Sequence, residues 1–249
     1  MATKKASSKK DQEEVQVIEI PPLRTEVMDL YVVGTTPLLM HKWSAKAKEQ
    51  MRQSQSQKAR PKKAPKNPQE DYLECVYRDE EAHTAMPSSA FKTAMIHAVR
   101  QVAGLTMVGS KGAFHLVEQW CQVVGKHEME RDTEGDLGHP VRLQSGVADL
   151  RYRALFKEWA CRLLVTRNTD VITRENIANL LAVAGFACGV GDRRPSAPKN
   201  AGGNNGMWRM ATRQEFEDIA KRHDAWMIRD REDALKRRKT RGISDDLVA

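Results

Sequence analysis

The residues best placed to do chemistry lie in one stretch, Gly185-Phe-Ala-Cys-Gly-Val-Gly-Asp-Arg-Arg-Pro195, continued by Ser-Ala-Pro-Lys-Asn-Ala-Gly-Gly-Asn-Asn-Gly206 and Met-Trp-Arg-Met210. Gly189, Gly191, Gly202, Gly203 and Gly206 permit close backbone approach and positive φ. Arg193, Arg194, Lys199 and Arg209 put positive charge in the same segment. Successive amides beside guanidinium forks suit phosphate oxygens. The competing reading is a surface loop of ordinary chain breakers, and the two arginines between Gly191 and Pro195 favour the polyanion site. The order of residues is not G-x-x-x-x-G-K-[ST], so this is not a nucleotide-triphosphate loop of the Walker type.

Other groups are placed to assist. Arg151 and Arg153 flank Tyr152 at a period of two, which directs both to one sheet face, with pairing to Asp149 or Glu158 as the alternative. Lys92, His97 and Arg100 lie off the apolar face of a helix that begins at Ser88 or Ser89. Trp43, Tyr152 and Trp208 are candidate stacking platforms for bases, or core residues. No histidine pair has a metal-ligand spacing and the aspartates form no two-metal cluster, so no metal or other cofactor is expected. Cys75, Cys121, Cys161 and Cys188 are scattered without C-x-x-C spacing, which predicts free thiols in a reducing cytoplasm.

These residues must be held by a fold, and the composition says how large it is. The chain has 249 residues, a length that fits one large domain with tails. Only 40% of residues are apolar, and the shortfall is concentrated in residues 1–16, 53–69 and the segment after Arg213, so the remainder still builds one sizeable core. A net charge of +8 favours an acidic partner, most simply nucleic acid. No apolar run approaches the roughly 18–20 residues of a membrane span, and the lysine-rich start lacks the apolar region of a secretory signal. Both point to an intracellular protein.

Residues 1–22 read as a disordered arm and 213–249 as a charged helical tail with Phe216, Ile219, Ala220 and Met227 along one side. Between them, alternation predicts strands at 26–34, 114–124, 157–167 and 206–212, with helix the alternative for 114–124. Periodicity predicts helices at 89–102 and 173–184, the second capped by Thr173. A short helix is expected from Ser44 to Met51, a basic proline-broken insertion over 52–69, one or two helical turns at 71–77, and a charged loop at 127–138. The order strand–helix–strand–strand–helix–strand is the α+β, ferredoxin-like (RRM-like) βαββαβ unit with long insertions and a C-terminal helical extension. Right-handed crossovers place both helices on one sheet face and leave the other for a ligand or an insertion.

Three pieces, Met86-Pro-Ser-Ser-Ala-Phe-Lys92, Ala148-Asp-Leu-Arg-Tyr-Arg153 leading to Trp159, and Gly189-Val-Gly-Asp-Arg-Arg-Pro195, resemble the RAMP (repeat-associated mysterious protein) superfamily. Within it, the order of parts is most similar to the backbone subunits of CRISPR effector complexes and related phage proteins, over roughly residues 24–212. The resemblance implies a protein that grips single-stranded RNA and stacks head to tail into a filament; single-stranded DNA suits the same chemistry. It implies that the glycine loop, the first helix and the insertion over 52–66 surround a strand; with the residues read above, the expected contacts are Lys42, Arg52, Lys92, His97, Arg100, Arg151, Arg153, Gly189, Gly191, Arg193, Arg194, Lys199, Gly202, Gly203, Gly206, Trp208 and Arg209. It also implies an alternative, metal-independent RNA cleavage by His41 or His97 with Lys42 and Lys92 stabilising the oxyanion. A third reading is an assembly protein that binds no nucleic acid.

Overall fold

The structure, a computed structural model, describes residues 20–56, 67–142, 146, 148–198 and 202–240. The expected N-terminal arm up to residue 19, the insertion over 57–66 and the end of the tail beyond Thr240 lie outside the described residues.

The fold is α+β, with a mostly antiparallel sheet assembled on its longest strand, β8 (Ala154–Asn168). One edge of β8 pairs with β1 (Thr25–Gly34) and, beyond a break at Thr35–Pro37, with β2 (Leu38–Met40). Its other edge pairs with β4 (Phe114–Leu116) and β5 (Trp120–Met129). β3 (Ala85–Pro87) extends the sheet beyond β5, and β9 (Trp208–Ala211) closes it beyond β1, giving the order β3-β5-β8-β1-β9. A separate hairpin joins β6 (His139–Arg142) to β7 (Ala148–Arg151).

A bulge resets the alternation of β8 partway along its length. Gly125 faces Trp159 and His127 faces Phe156, so two residues of β8, Lys157 and Glu158, oppose the single Lys126. Before the bulge Ala154 and Phe156 enter the main core; after it Trp159, Cys161, Leu163 and Val165 do. The same bulge carries β5 through the stretch expected to be a charged loop: Lys126 and Glu128 face out while His127 is buried. The strand expected at 114–124 is thus divided into β4 and β5 by a bend at Val117–Gln119.

Helices α3 (Ser88–Ala98) and α5 (Arg174–Ala187) pack on each other and on one sheet face. Phe91, Met95, Ile177, Leu180 and Leu181 meet Met28, Val32 and Leu163 there. Thr173 caps α5 by accepting a hydrogen bond from the Asn176 amide, as its position before the apolar run predicts. α3 is shorter than expected; a 3₁₀ turn at Val99–Gln101 ends it, and α4 (Met107–Ala113), capped by Thr106, follows.

The opposite face is covered by α6 (Arg213–Thr240), which lies across β1, β5 and β8. Phe216 and Ile219 pack on Tyr31, Val124 and Ala160, with the Tyr31 and Phe216 rings 5.4 Å apart. Farther along, Asp230 receives two 2.8 Å hydrogen bonds from Arg78, and Trp226 meets the buried His127 edge-on at 4.6 Å. The face expected to be left for a ligand or an insertion is therefore occupied by the chain's own C-terminal helix. Two short helices, α1 (Ala45–Gln55) and α2 (Pro68–Glu74), flank the far end of α6.

Candidate nucleic-acid interface

The glycine-rich segment closes one wall of a cleft of about 380 Å³. The opposite wall is α3, from Ser89, Ala90 and Thr93 in its first half to His97 in its last turn, and His41 reaches in from the end of β2. Pro87 stands at the N-cap of α3 and supplies no side-chain cap. The Ser88 amide is taken by the Gln119 carbonyl, and the rest of the first turn keeps the partial positive charge of a helix N-terminus beside the cleft.

The glycines act differently from expectation. Gly189, Gly203 and Gly206 donate their amides to Ala184, Arg194 and Pro37, so these groups are committed within the protein and do not form a phosphate nest. Gly191 and Gly206 instead permit backbone to touch backbone. Both have positive φ, and a Cβ would stand 2.4 Å from the Leu39 carbonyl oxygen at Gly191 and 1.8 Å from that of Val190 at Gly206. The Asp192 amide then donates to Leu39, and that of Val190 to Gly206, which knits the loop to β2 and to its own return.

The charges are sorted just as sharply. Arg153, 2% exposed, donates to Asp192 at 2.7 Å and to Glu130, itself 3% exposed, at 3.0 Å. Arg193, held at φ +50°, pairs with the other oxygen of Glu130 and lies 3.1 Å from His139. Arg151 approaches Asp192 at 3.9 Å and His41 approaches it at 3.6 Å. Burial disfavours the Asp192 carboxylate, but the charge and hydrogen bond of Arg153, with His41 and Arg151, hold its pKa below the ordinary value. Burial pushes His41 down to about 4 against the opposing pull of Asp192, so the imidazole is neutral near pH 7. Arg194 differs from its neighbours. Its guanidinium donates to the Gly191 carbonyl at 2.9 Å and forms no ion pair among the described residues.

Among the expected contacts, the structure brings His97, Gly189, Gly191 and Arg194 into this cleft. Arg151 stands behind it on Asp192. Others are placed elsewhere. Arg153 and Arg193 are each committed to one oxygen of the buried Glu130, so either would give up that pairing to grip a phosphate. Trp208 is 2% exposed, donates from Nε1 to the Leu181 carbonyl and meets Phe91 edge-on, so it is core and offers no base a face. Tyr152 is likewise core, whereas Trp43 is 56% exposed. Lys92 lies 2.8 Å from His115, Arg100 points its Nε at the Met107 sulfur, and Arg209 pairs with Glu215. Arg52 is exposed on α1 beside Glu49, and Lys42 lines a second cleft. Gly202 and Gly203 sit in the return of the loop, where Gly203 crosses the Arg193 carbonyl. Lys199 lies outside the described residues.

Sequence reasoning missed Glu130, Asp192 and His139, which set the charge balance of the loop. Their roles arise from pairings across the fold, and no local pattern marks them. The chain matches no protein-family model, and no curated protein is similar enough to it to be matched.

Proposed function

We propose that the protein is a non-catalytic, single-stranded nucleic-acid-binding protein of ferredoxin-like fold that works in the cytoplasm and oligomerises head to tail along its ligand. The strand order β9-β1-β8-β5, with α3 and α5 on one face, supports the fold reading, since it is the 4-1-3-2 arrangement of a βαββαβ unit. The observation that carries the binding reading is Arg194. It is a guanidinium in no ion pair among the described residues, at a cleft whose one lining carboxylate, Asp192, is already paired with Arg153 and which is faced by the uncapped first turn of α3. That combination attracts a phosphate and is sequence-independent.

The test is fluorescence anisotropy with labelled RNA and DNA 20-mers of identical sequence, wild type against Arg194→Ala. The reading expects Arg194→Ala to weaken binding about tenfold, the scale of one charge-assisted hydrogen bond. Equal affinity of variant and wild type would overturn the loop as the grip. RNA preferred over DNA would favour the RAMP resemblance.

A second reading rests on one further observation: His41 and His97 line the same cleft, with His41 neutral. A neutral imidazole can accept the proton of a 2′-hydroxyl, and burial makes His41 a weaker base than an ordinary histidine. Lys42 and Lys92, the partners expected for this chemistry, do not line this cleft. Cleavage of RNA but not DNA in excess chelator, abolished by His41→Ala, would move the protein into this class.

A further inference from the structure

A second cleft, of about 540 Å³, lies where α1, α2 and the last turns of α6 converge. Its volume is within the range that holds a small-molecule ligand. Leu73, Val76 and Ala234 supply apolar lining, and Trp43 exposes more than half of its surface beside them. Five cationic side chains, Lys42, Lys48, Arg78, Arg237 and Arg238, line it against two carboxylates, Glu70 and Glu74.

Three of these cations indicate what the cleft lacks. Arg78 is neutralised by its two hydrogen bonds to Asp230. Arg238 is fixed by donating to the Glu80 and Asp79 carbonyls, each at 2.6 Å, and these neutral acceptors leave its positive charge uncancelled. The Lys42 backbone is pinned by the hydrogen bond that its amide donates to the Cys75 carbonyl at 2.9 Å, while its ammonium has no hydrogen-bond or ion-pair partner among the described residues. Burial lowers the Lys42 pKa, and Lys48, Arg238 and Arg78 lower it further, with Glu74 offsetting in part. Cations gathered at this cost, in a cleft with low-dielectric walls, focus a field on an anion.

We propose that this cleft binds a nucleotide, with the base against the indole of Trp43 and the phosphate on Lys42, Lys48 and Arg238. A doubly charged phosphate matches several cations better than a single carboxylate does. An exposed indole stacks on any base, since every base has a π-face. The site is separate from the glycine loop and does not depend on its reading. The nucleotide has two sources, a free mononucleotide or one unit of a strand.

Isothermal titration of the full-length protein with AMP, adenosine and inorganic phosphate tests it. Saturable AMP binding is expected, with adenosine at least tenfold weaker. Trp43→Ala and Lys42→Ala each weaken AMP about tenfold, and Trp43→Phe restores most of the affinity. Displacement of AMP by a dA 20-mer assigns the site to a strand, and its absence assigns it to free nucleotide. No AMP binding, adenosine binding as tight as AMP, or affinity unchanged in both Trp43→Ala and Lys42→Ala would overturn the proposal. Trp43 is a surface residue, and Lys42→Gln gives a milder second variant, so a folded protein is available for each comparison.

Discussion

Arg193 and Arg194 are adjacent in sequence and opposite in role. Arg193 answers a carboxylate that is 3% exposed, so Arg193→Ala leaves Glu130 with Arg153 alone and destabilises the fold by about 2 kcal/mol. Arg194→Ala changes stability by less than about 0.5 kcal/mol, because the lost bond is to one carbonyl at a half-exposed site. Urea unfolding of the two variants checks this, and equal losses would contradict the division of labour. Gly206→Ala is expected to cost more than about 2 kcal/mol, since it forces a left-handed alanine and drives a methyl group into the Val190 carbonyl. The sequence shows both arginines and the glycine but not which arginine is free. That depends on Glu130, 63 residues away, which reads as one more charge in a loop.

At the scale of elements, β1, β8 and α5 were legible because local physics decides them. β1 alternates Met28, Leu30 and Val32 against Tyr31 and Val33, and α5 carries both its cap and its apolar face in one short stretch. The division of 114–124 was not legible, since β4 and β5 are separated by a bend that only the pairing with β8 explains. The apolar side of α6, Phe216, Ile219, Ala220 and Met227, was legible, but not the sheet face on which it docks. It is held by two aromatic and aliphatic anchors near its start and by the Arg78–Asp230 pair farther on, at 8% and 9% side-chain exposure. Asp230→Ala strands a buried guanidinium and is expected to cost about 3 kcal/mol. The double variant Arg78→Met, Asp230→Leu removes both charges and recovers most of that loss. A double variant no more stable than Asp230→Ala would mean that the pair does not act as a unit.

For the whole molecule, burial and charge combine in a pH response. His41 and His127 are both held below the ordinary histidine value, chiefly by burial, so the folded protein keeps them neutral where the unfolded chain binds protons. Stability is therefore fully present above about pH 6.5 and is lost as pH falls toward 4, by about 3 kcal/mol for His41 alone. Asp192 and Asp230, whose pKa values are lowered, extend the loss into the carboxylate range. Urea midpoints that stay level from pH 7.5 to 4.5 would contradict this. The overall charge of +8 bears on function more directly. The central claim is that Arg194 and the α3 turn hold a phosphate of a single strand. The measurement that tests it is anisotropy of a labelled 20-mer over a salt series, for wild type and Arg194→Ala. The account predicts log affinity falling linearly with log salt at about −0.7 per phosphate contact, with the variant weaker and its slope shallower by about that amount. A salt-insensitive affinity, or identical slopes for the two proteins, would contradict it.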